Sequence, residues 1–218
     1  MGRVARDPDA VAVLFPAAGR RCGRGPLFGP GHGPHDGPGL GPGFGARSDQ
    51  AGWTVDEAAR VLLLTALPLH GPDLAERVGA LYRYGSADEK RAVLRALHLL
   101  DVGDGAVHIL HDAIRTNDTR LVAAAMGPYA AHLDDRMWRQ AVLKCVFMDI
   151  PLTAVADLNR RADGELARML ADLAAERRAA GRSMPADAEV LLALLGDLPG
   201  TEGDGMRDRP AEREGKAR

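Results

Sequence analysis

The chain has 218 residues, of which 46% are hydrophobic and only 4% aromatic, so it can bury one core that Leu, Val and Ala must fill. Its formal net charge of -2 argues against nucleic acid or an anionic membrane surface as the main partner. Its two cysteines form no Cys-x-x-Cys pair and no disulfide framework, which fits a reducing cytoplasm. The longest apolar run is too short to span a bilayer, and the first 15 residues do not resemble a secretory signal, so a cytoplasmic location is expected.

The composition divides the chain into three regions. Residues 1–52 are predicted to be mostly flexible, because 14 of the 21 residues in a low-complexity tract at 25–45 are Gly or Pro. Residues 53–198 are expected to form one helical domain. Residues 199–218 are charged and almost without large apolar groups, which predicts a disordered tail.

Helix start and stop signals predict eight or nine short helices in the middle region. Thr54 with Glu57 and Ser86 with Glu89 form capping boxes before helices at 55–67 and 87–100. No segment alternates polar and apolar residues, so no strand is expected. The other predicted helices are 73–84 after Pro72, 103–115, 118–126 capped by Asn117, 135–148 capped by Asp134, a short helix at 152–158, 165–180 capped by Asp163, and 185–195.

A weak internal repeat accompanies these helices. Residues 81–97 align without gaps to residues 110–126, at an offset of 29, and Arg91, Val93 and Ala96 match Arg120, Val122 and Ala125. Such patterns are typical of antiparallel helix pairs stacked in a row, as in HEAT or armadillo arrays. Chance similarity between amphipathic helices is the alternative. The predicted fold is all-α, built from stacked antiparallel helix pairs.

The predicted helix at 135–148 is apolar on two sides, which indicates packing on both. Trp138 lies on one apolar stripe, while Gln140 and Lys144 lie one turn apart between the two stripes. A Lys and a Gln amide suit a ligand carboxylate or phosphate, and the alternative is a solvated edge or a structural salt bridge. Asn117 is a further candidate, although it is explained more simply as a helix cap.

Three arginines near the N-terminus form a second candidate anion site. Arg20, Arg21 and Arg24 lie among glycines whose backbone amides could join them around an anion. The segment lacks the ending of a Walker motif and the preceding strand of a dinucleotide fingerprint. A loop in an arginine-rich chain is the alternative interpretation.

Histidine and cysteine patterns do not predict a metal or a cofactor. His108 and His111 have metal-compatible spacing, but they flank a core stripe without the Glu of a His-Glu-x-x-His motif. They are interpreted as histidines at the edge of the core. Cys145 faces an apolar stripe and is expected to be inert.

Five stretches carry a resemblance to a known family. They are residues 115–117 (Arg-Thr-Asn), 138–147 (Trp-Arg-Gln-Ala-Val-Leu-Lys-Cys-Val-Phe), 151–152 (Pro-Leu), 166–170 (Leu-Ala-Arg-Met-Leu) and 176–181 (Glu-Arg-Arg-Ala-Ala-Gly). This series resembles the signature of the EboA family, named after a bacterial gene cluster for metabolite traffic. The resemblance extends over about residues 53–185.

The resemblance implies an accessory protein of secondary-metabolite export, which binds a metabolite precursor or docks membrane partners. Its implied partners are other proteins of the ebo-type cluster, among them a membrane prenyltransferase-like protein, which would place it peripherally at the inner membrane. The family supplies no catalytic residues to transfer. The alternative is an enzyme acting on an anionic metabolite, with Arg20, Arg21 and Lys144 holding the charge and a histidine such as His111 as acid or base.

Overall fold

The computed structural model describes residues 2–27 and 52–196, and the regular secondary structure in these ranges is helical apart from one isolated β-bridge between Pro26 and Thr54. The all-α prediction is therefore confirmed for these residues. The Gly/Pro tract from residue 28 onward and the predicted tail at 199–218 lie outside the described residues. The helices are α1 (Val11–Cys22), α2 (Val55–Thr65), α3 (Gly71–Tyr84), α4 (Ala87–Ala96), α5 (Val107–Arg115), α6 (Thr119–Ala125), α7 (Asp135–Phe147), α8 (Leu158–Arg161), α9 (Gly164–Ala179) and α10 (Ala186–Gly196), with 3-10 helices at Pro8–Ala10, Leu97–Leu99, Pro128–His132 and Leu152–Ala154.

Side-chain caps begin the helices where the sequence predicts them. The Thr54 N–H donates to Glu57 Oε2 at 3.1 Å, and Ser86 Oγ accepts from the Glu89 N–H at 3.4 Å. Asp134 accepts from the Met137 N–H at 2.8 Å, and Asp163 from the Leu166 N–H at 3.0 Å. These bonds satisfy backbone donors that the first helical turn leaves without partners.

Two local predictions are wrong. Asn117 does not cap α6, because the helix begins at Thr119 and Asp118 is the cap, accepting from the Arg120 N–H at 2.9 Å. Residues 152–158 do not form one helix. A 3-10 turn at Leu152–Ala154 is followed by Asp157, whose left-handed φ of 57° interrupts the helical path before α8 begins.

Helix α1 lies in the region predicted to be mostly flexible and was not expected. Val11, Phe15 and Ala18 are spaced as one apolar stripe, and all three are buried, with α1 packed against α2. Pro16 lies on the exposed side, and so does Ala12, whose carbonyl loses its helical donor to the proline. The predicted domain boundary at residue 53 remains a prediction.

The helices pack around one continuous core. Helix α1 packs against α2, α2 against α4, and α4 against α6, while α3 packs on α4 and α5 on α6. Helix α7 then contacts α6 and α9, and α10 packs on α9. The largest buried apolar side chains include Trp138, Phe15, Leu97 and Leu166, from α7, α1, the 3-10 turn after α4, and α9.

The first turns of α2 bury charge where three helices meet. Asp56 and Glu57 are each 2% exposed and Arg60 is 1% exposed. Arg60 Nη1 donates to Asp56 Oδ2 at 2.5 Å, and Arg60 Nε donates to the Phe15 carbonyl of α1 at 3.2 Å. Burial raises the pKa of Asp56, but hydrogen bonds from Thr54 and Arg60, together with the Arg60 charge, outweigh burial and bring the pKa below its ordinary value.

We predict that Arg60→Met lowers the free energy of unfolding by about 3–5 kcal/mol, because it leaves the Asp56 carboxylate buried without its partner. Chemical denaturation monitored by circular dichroism measures the change. Arg136→Met, at an exposed position of α7, is the control and is expected to change stability by less than about 0.5 kcal/mol. Equal stability of the two variants would show that the Asp56–Arg60 pair does not hold α1 and α2 together.

Candidate functional site

An open groove of about 870 Å³ lies between α4 and α6 and is called here the α4–α6 groove. Its α4 side consists of Arg91, Leu94 and Arg95, continued by His98 in the following 3-10 turn. Its remaining lining residues are Thr119, Arg120, Ala123 and Ala124 of α6, Gly127 and Pro128, and most of segment 149–160. The volume is within the range of about 300–1,000 Å³ that is usual for small-molecule sites.

The α4 side is one face of a helix. Positions 91, 94, 95 and 98 recur at intervals of three and four residues, which places their side chains in one row. Leu94 is buried at the base of this row, while Arg91 and Arg95 are 18% and 14% exposed at their side chains. The groove therefore has an apolar base and guanidinium groups along one side.

Glu57 fixes these two arginines in place. Arg95 Nη1 donates to Glu57 Oε2 at 3.2 Å, and Arg91 Nε lies 3.2 Å from Glu57 Oε1. Arg91 Nη2 also donates to the Gly52 carbonyl at 3.2 Å, and the Arg95 guanidinium lies 4.7 Å from the Trp53 ring centroid. Helix α2 and the residues before it thus hold the arginine row of α4.

Arg120 lines the groove from α6 and is held by two acids. Its Nη2 donates to Asp118 Oδ2 at 3.0 Å, and its Nη1 donates to Asp88 Oδ1 at 3.2 Å. The hydrogen bond from Arg120 lowers the pKa of Asp118, and the same bond raises the pKa of Arg120. Arg120 is therefore a charge already neutralised within the fold.

Segment 149–160 closes the third side and is tied to three helices. The Ala156 N–H donates to the Met126 carbonyl after α6 at 2.8 Å, and the Leu152 N–H donates to Asp187 Oδ2 of α10 at 2.7 Å. Arg177 of α9 binds Asp149 at 3.2 Å. These contacts fix an irregular segment whose Ile150 and Val155 are buried beside the groove.

A second open groove, of about 590 Å³, lies between α7 and α9 and is called here the α7–α9 groove. It is lined by Asn117, Leu143, Lys144, Phe147, Met148, Arg168, Met169, Asp172, Leu173 and Glu176. Lys144 is half-buried there, and its Nζ donates to the Thr116 carbonyl at the end of α5 at 2.7 Å. Two of the predicted site residues, Lys144 and Asn117, are thus brought together by the fold.

The other candidates from helix α7 do not join them. Trp138 is 1% exposed in the core, where the Arg161 guanidinium lies 4.7 Å from its ring centroid. Its indole Nε1 has no hydrogen-bond partner among the described residues. Gln140 is exposed and lines neither groove. Trp138 therefore packs the helix, and Gln140 does not share a cavity with Lys144.

The predicted N-terminal arginines lie away from both grooves. Arg20 and Arg21 are exposed in the last turn of α1. The Arg24 side chain folds back over Gly19, close to Asp56: a Cβ on Gly19 would lie 2.8 Å from Arg24 Nε and 3.5 Å from Asp56 Oδ2. Arg24 is thus placed beside the buried charges of α2, whereas Arg20 and Arg21 are exposed and line neither groove.

The histidines and the buried cysteine are distributed over separate environments. His98 lines the α4–α6 groove, while His108 Nδ1 lies 3.1 Å from the Gly105 carbonyl within its own turn. Across residues 2–27 and 52–196, no cluster of three or more His, Cys, Asp or Glu is arranged to hold a metal ion. Burial raises the pKa of the Cys145 thiol to about 12, which makes it a poor nucleophile. No helix in the described ranges is long and apolar enough to cross a membrane.

The α4–α6 groove itself was not predicted from the sequence, although one signal pointed toward it. The repeat with an offset of 29 aligned Arg91 with Arg120, and both arginines line this groove. The repeat by itself predicts stacked helices and no groove. Two matched arginines on neighbouring helices could nevertheless have identified the groove that they share.

Comparison with known proteins identifies the family. No curated protein and no solved structure matches the chain. A family model described as metabolite traffic protein EboA matches residues 48–192, which is more than half of the chain and includes both grooves as far as α9. The chain therefore belongs to the EboA family, as its residue pattern indicated.

Proposed function

We propose that this protein holds a metabolite in the α4–α6 groove during the traffic for which its family is named, and releases it unchanged. The observation that carries the proposal is the groove itself. It has the volume of a small-molecule site, a base of apolar residues and fixed guanidinium groups at its side.

The packing order supports a stacked array as the framework for this site. Helices α2, α4 and α6 pack in sequence, and each is accompanied by the helix that precedes it, α1, α3 and α5. In HEAT-like arrays the second helices of successive pairs form one continuous surface. The groove residues of α4 and α6 would lie on that surface, which is where such arrays bind ligands.

The chemistry of the groove lining favours binding of a metabolite over its chemical conversion. Arg95 and Arg120 are engaged by the carboxylates that position them, and Arg160 is paired with Asp157 at 2.7 Å. Arginines that are paired with carboxylates in this way define the shape and polarity of a binding site. Delivery to a membrane-bound protein of the same gene cluster, such as a prenyltransferase-like protein, is part of the proposal and would place the chain at the cytoplasmic face of the inner membrane.

An enzyme acting on an anionic metabolite is the second candidate, and one observation favours it. His98 lines the α4–α6 groove three residues from Arg95, within reach of a bound molecule. The residues that the sequence suggests for this role do not share a groove, because Lys144 lines the α7–α9 groove, while Arg20, Arg21 and His111 line neither. An acid or base in the larger groove would then be His98, because the two carboxylates that also line it, Asp149 and Asp157, are paired with Arg177 and Arg160.

We predict that Ala124→Leu impairs function while the protein stays folded. Ala124 is half-buried on the groove side of α6, so the larger side chain occupies ligand volume. A mismatch of this size weakens binding by about tenfold or more. The measurement is metabolite delivery in a deletion strain carrying each variant, with thermal unfolding in parallel. Ala171→Leu, exposed on α9, is the control, and equal delivery by both variants would exclude the groove as the binding site.

We predict that His98→Gln retains delivery at the wild-type level. Gln keeps hydrogen-bonding capacity but cannot act as an acid or base near neutral pH. The same complementation assay measures the outcome. Loss of delivery by a normally folded His98→Gln variant, with accumulation of an unconverted precursor, would favour the enzyme over the carrier.

We predict that Lys144→Met impairs the protein more than Lys90→Met does. Lys144 donates a charge-assisted hydrogen bond to the carbonyl that ends α5, so its loss should lower stability by about 1.5–3 kcal/mol. Lys90 lies 4.9 Å from the Tyr82 ring centroid, and losing that contact should lower stability by about 0.5–1 kcal/mol. Melting temperature and complementation are both measured. A Lys144→Met protein that melts like wild type but fails in delivery would instead make the α7–α9 groove a contact site. If the two variants did not differ, neither a structural role nor a contact role of Lys144 would hold.

A further inference from the structure

We propose that the ligand of the α4–α6 groove is an apolar molecule with one carboxylate or phosphate group, and that Arg91 binds this anionic group. The inference rests on the proposed function, because it assumes that the groove holds a molecule. It adds the chemical class of that molecule and its orientation.

Arg91 is bonded less completely to Glu57 than Arg95 is. Arg95 makes an aligned hydrogen bond to Glu57 Oε2, whereas Arg91 Nε lies 3.2 Å from Oε1 without one. Glu57 Oε1 is buried and accepts no hydrogen bond from the described residues. The aligned bond of Arg91 is the one from Nη2 to the Gly52 carbonyl. A guanidinium has five donors, so Arg91 retains donors for a bidentate partner.

The other arginines of the groove are less suited to this role. Arg120 donates three bonds to Asp118 and one to Asp88. One of the three comes from its backbone, and the guanidinium supplies the rest. Arg160 is two-thirds exposed and paired with Asp157 at the rim, where solvent weakens its interactions. Arg91 is mostly buried at its side chain, so a ligand anion there would be shielded from water and bound more strongly.

The apolar part of the ligand follows from the surface next to Arg91. Leu94 lies one turn further along α4, and Ala123, Ala124, Ile150 and Val155 line the groove beyond it. The row from position 91 to position 98 is about 10 Å long at the rise of an α-helix. An anionic group at Arg91 would therefore direct an apolar body along the base of the groove toward segment 149–160.

Calorimetric titration of the full chain with three probes tests this assignment. The probes are decanoate, decyl phosphate and decanol, which share one alkyl chain and differ in the head group. We expect at least one of the two anions to bind the wild type about tenfold more tightly than decanol, as a charge-assisted bidentate contact provides. Whichever anion binds more tightly identifies the head group as a carboxylate or a phosphate.

Four variants separate the anionic contact from the groove. Arg91→Met is expected to remove the preference for the anions while decanol binds as before, and Arg91→Lys, which keeps the charge near Glu57 but lacks the planar fork, should retain part of it. Arg136→Met is the matched control and should bind all probes like wild type. Ala124→Leu should weaken all three probes.

Two results would overturn the ligand class while leaving the groove in place. The first is that decanol binds the wild type as tightly as both anions do. The second is that the preference for the anions persists in Arg91→Met. In both cases Ala124→Leu must still weaken every probe. Unchanged binding of all probes to Ala124→Leu, or no binding of any probe to the wild type, would overturn this inference. If Ala124→Leu binds all probes like the wild type, the α4–α6 groove also fails as the proposed site of function.

Discussion

The structure depends on two adjacent acids in the first turn of α2. Asp56 binds Arg60, which in turn donates to the Phe15 carbonyl of α1, and Glu57 binds the arginines of α4. Two buried carboxylates side by side would be costly without cations, because desolvation disfavours their charged form. The compensating arginines are Arg60 of α2 itself and Arg91 and Arg95 of α4. The need to pair these charges therefore fixes how α2 packs against α4, and the bond from Arg60 to Phe15 fixes how α2 packs against α1.

The same requirement shapes the larger groove. Because Glu57 holds Arg91 and Arg95, the groove side of α4 presents guanidinium groups at fixed positions beside an apolar base. Arg120 is fixed in a similar way by Asp118 and Asp88. A surface with immobilised side chains loses little conformational entropy when it binds a ligand. Charge pairing that stabilises the fold would thereby also prepare the proposed binding site.

The smaller groove shows how one lysine can serve structure. The sequence placed Lys144 between two apolar stripes and left open whether it is solvated, paired or bound to a ligand. In the structure its ammonium group donates to the Thr116 carbonyl at the end of α5. This bond satisfies an acceptor that the helix terminus leaves without a partner. Asn117 lies beside it, although Asp118 is the residue that caps α6.

The sequence by itself determined what depends on neighbours along the chain. The caps at Thr54, Ser86, Asp134 and Asp163 are bonds across three residues, and the buried stripe of α7 follows from helical periodicity. The tertiary structure alone decided which charges meet, since Glu57 and Arg95 are 38 residues apart and Arg60 and Phe15 are 45 apart. It also decided that Trp138 packs the core, whereas Arg91 and His98 line a groove. A pattern of residue types specifies which face of a helix is apolar, but the partner of that face and the cavity left beside it are set only when all helices pack together.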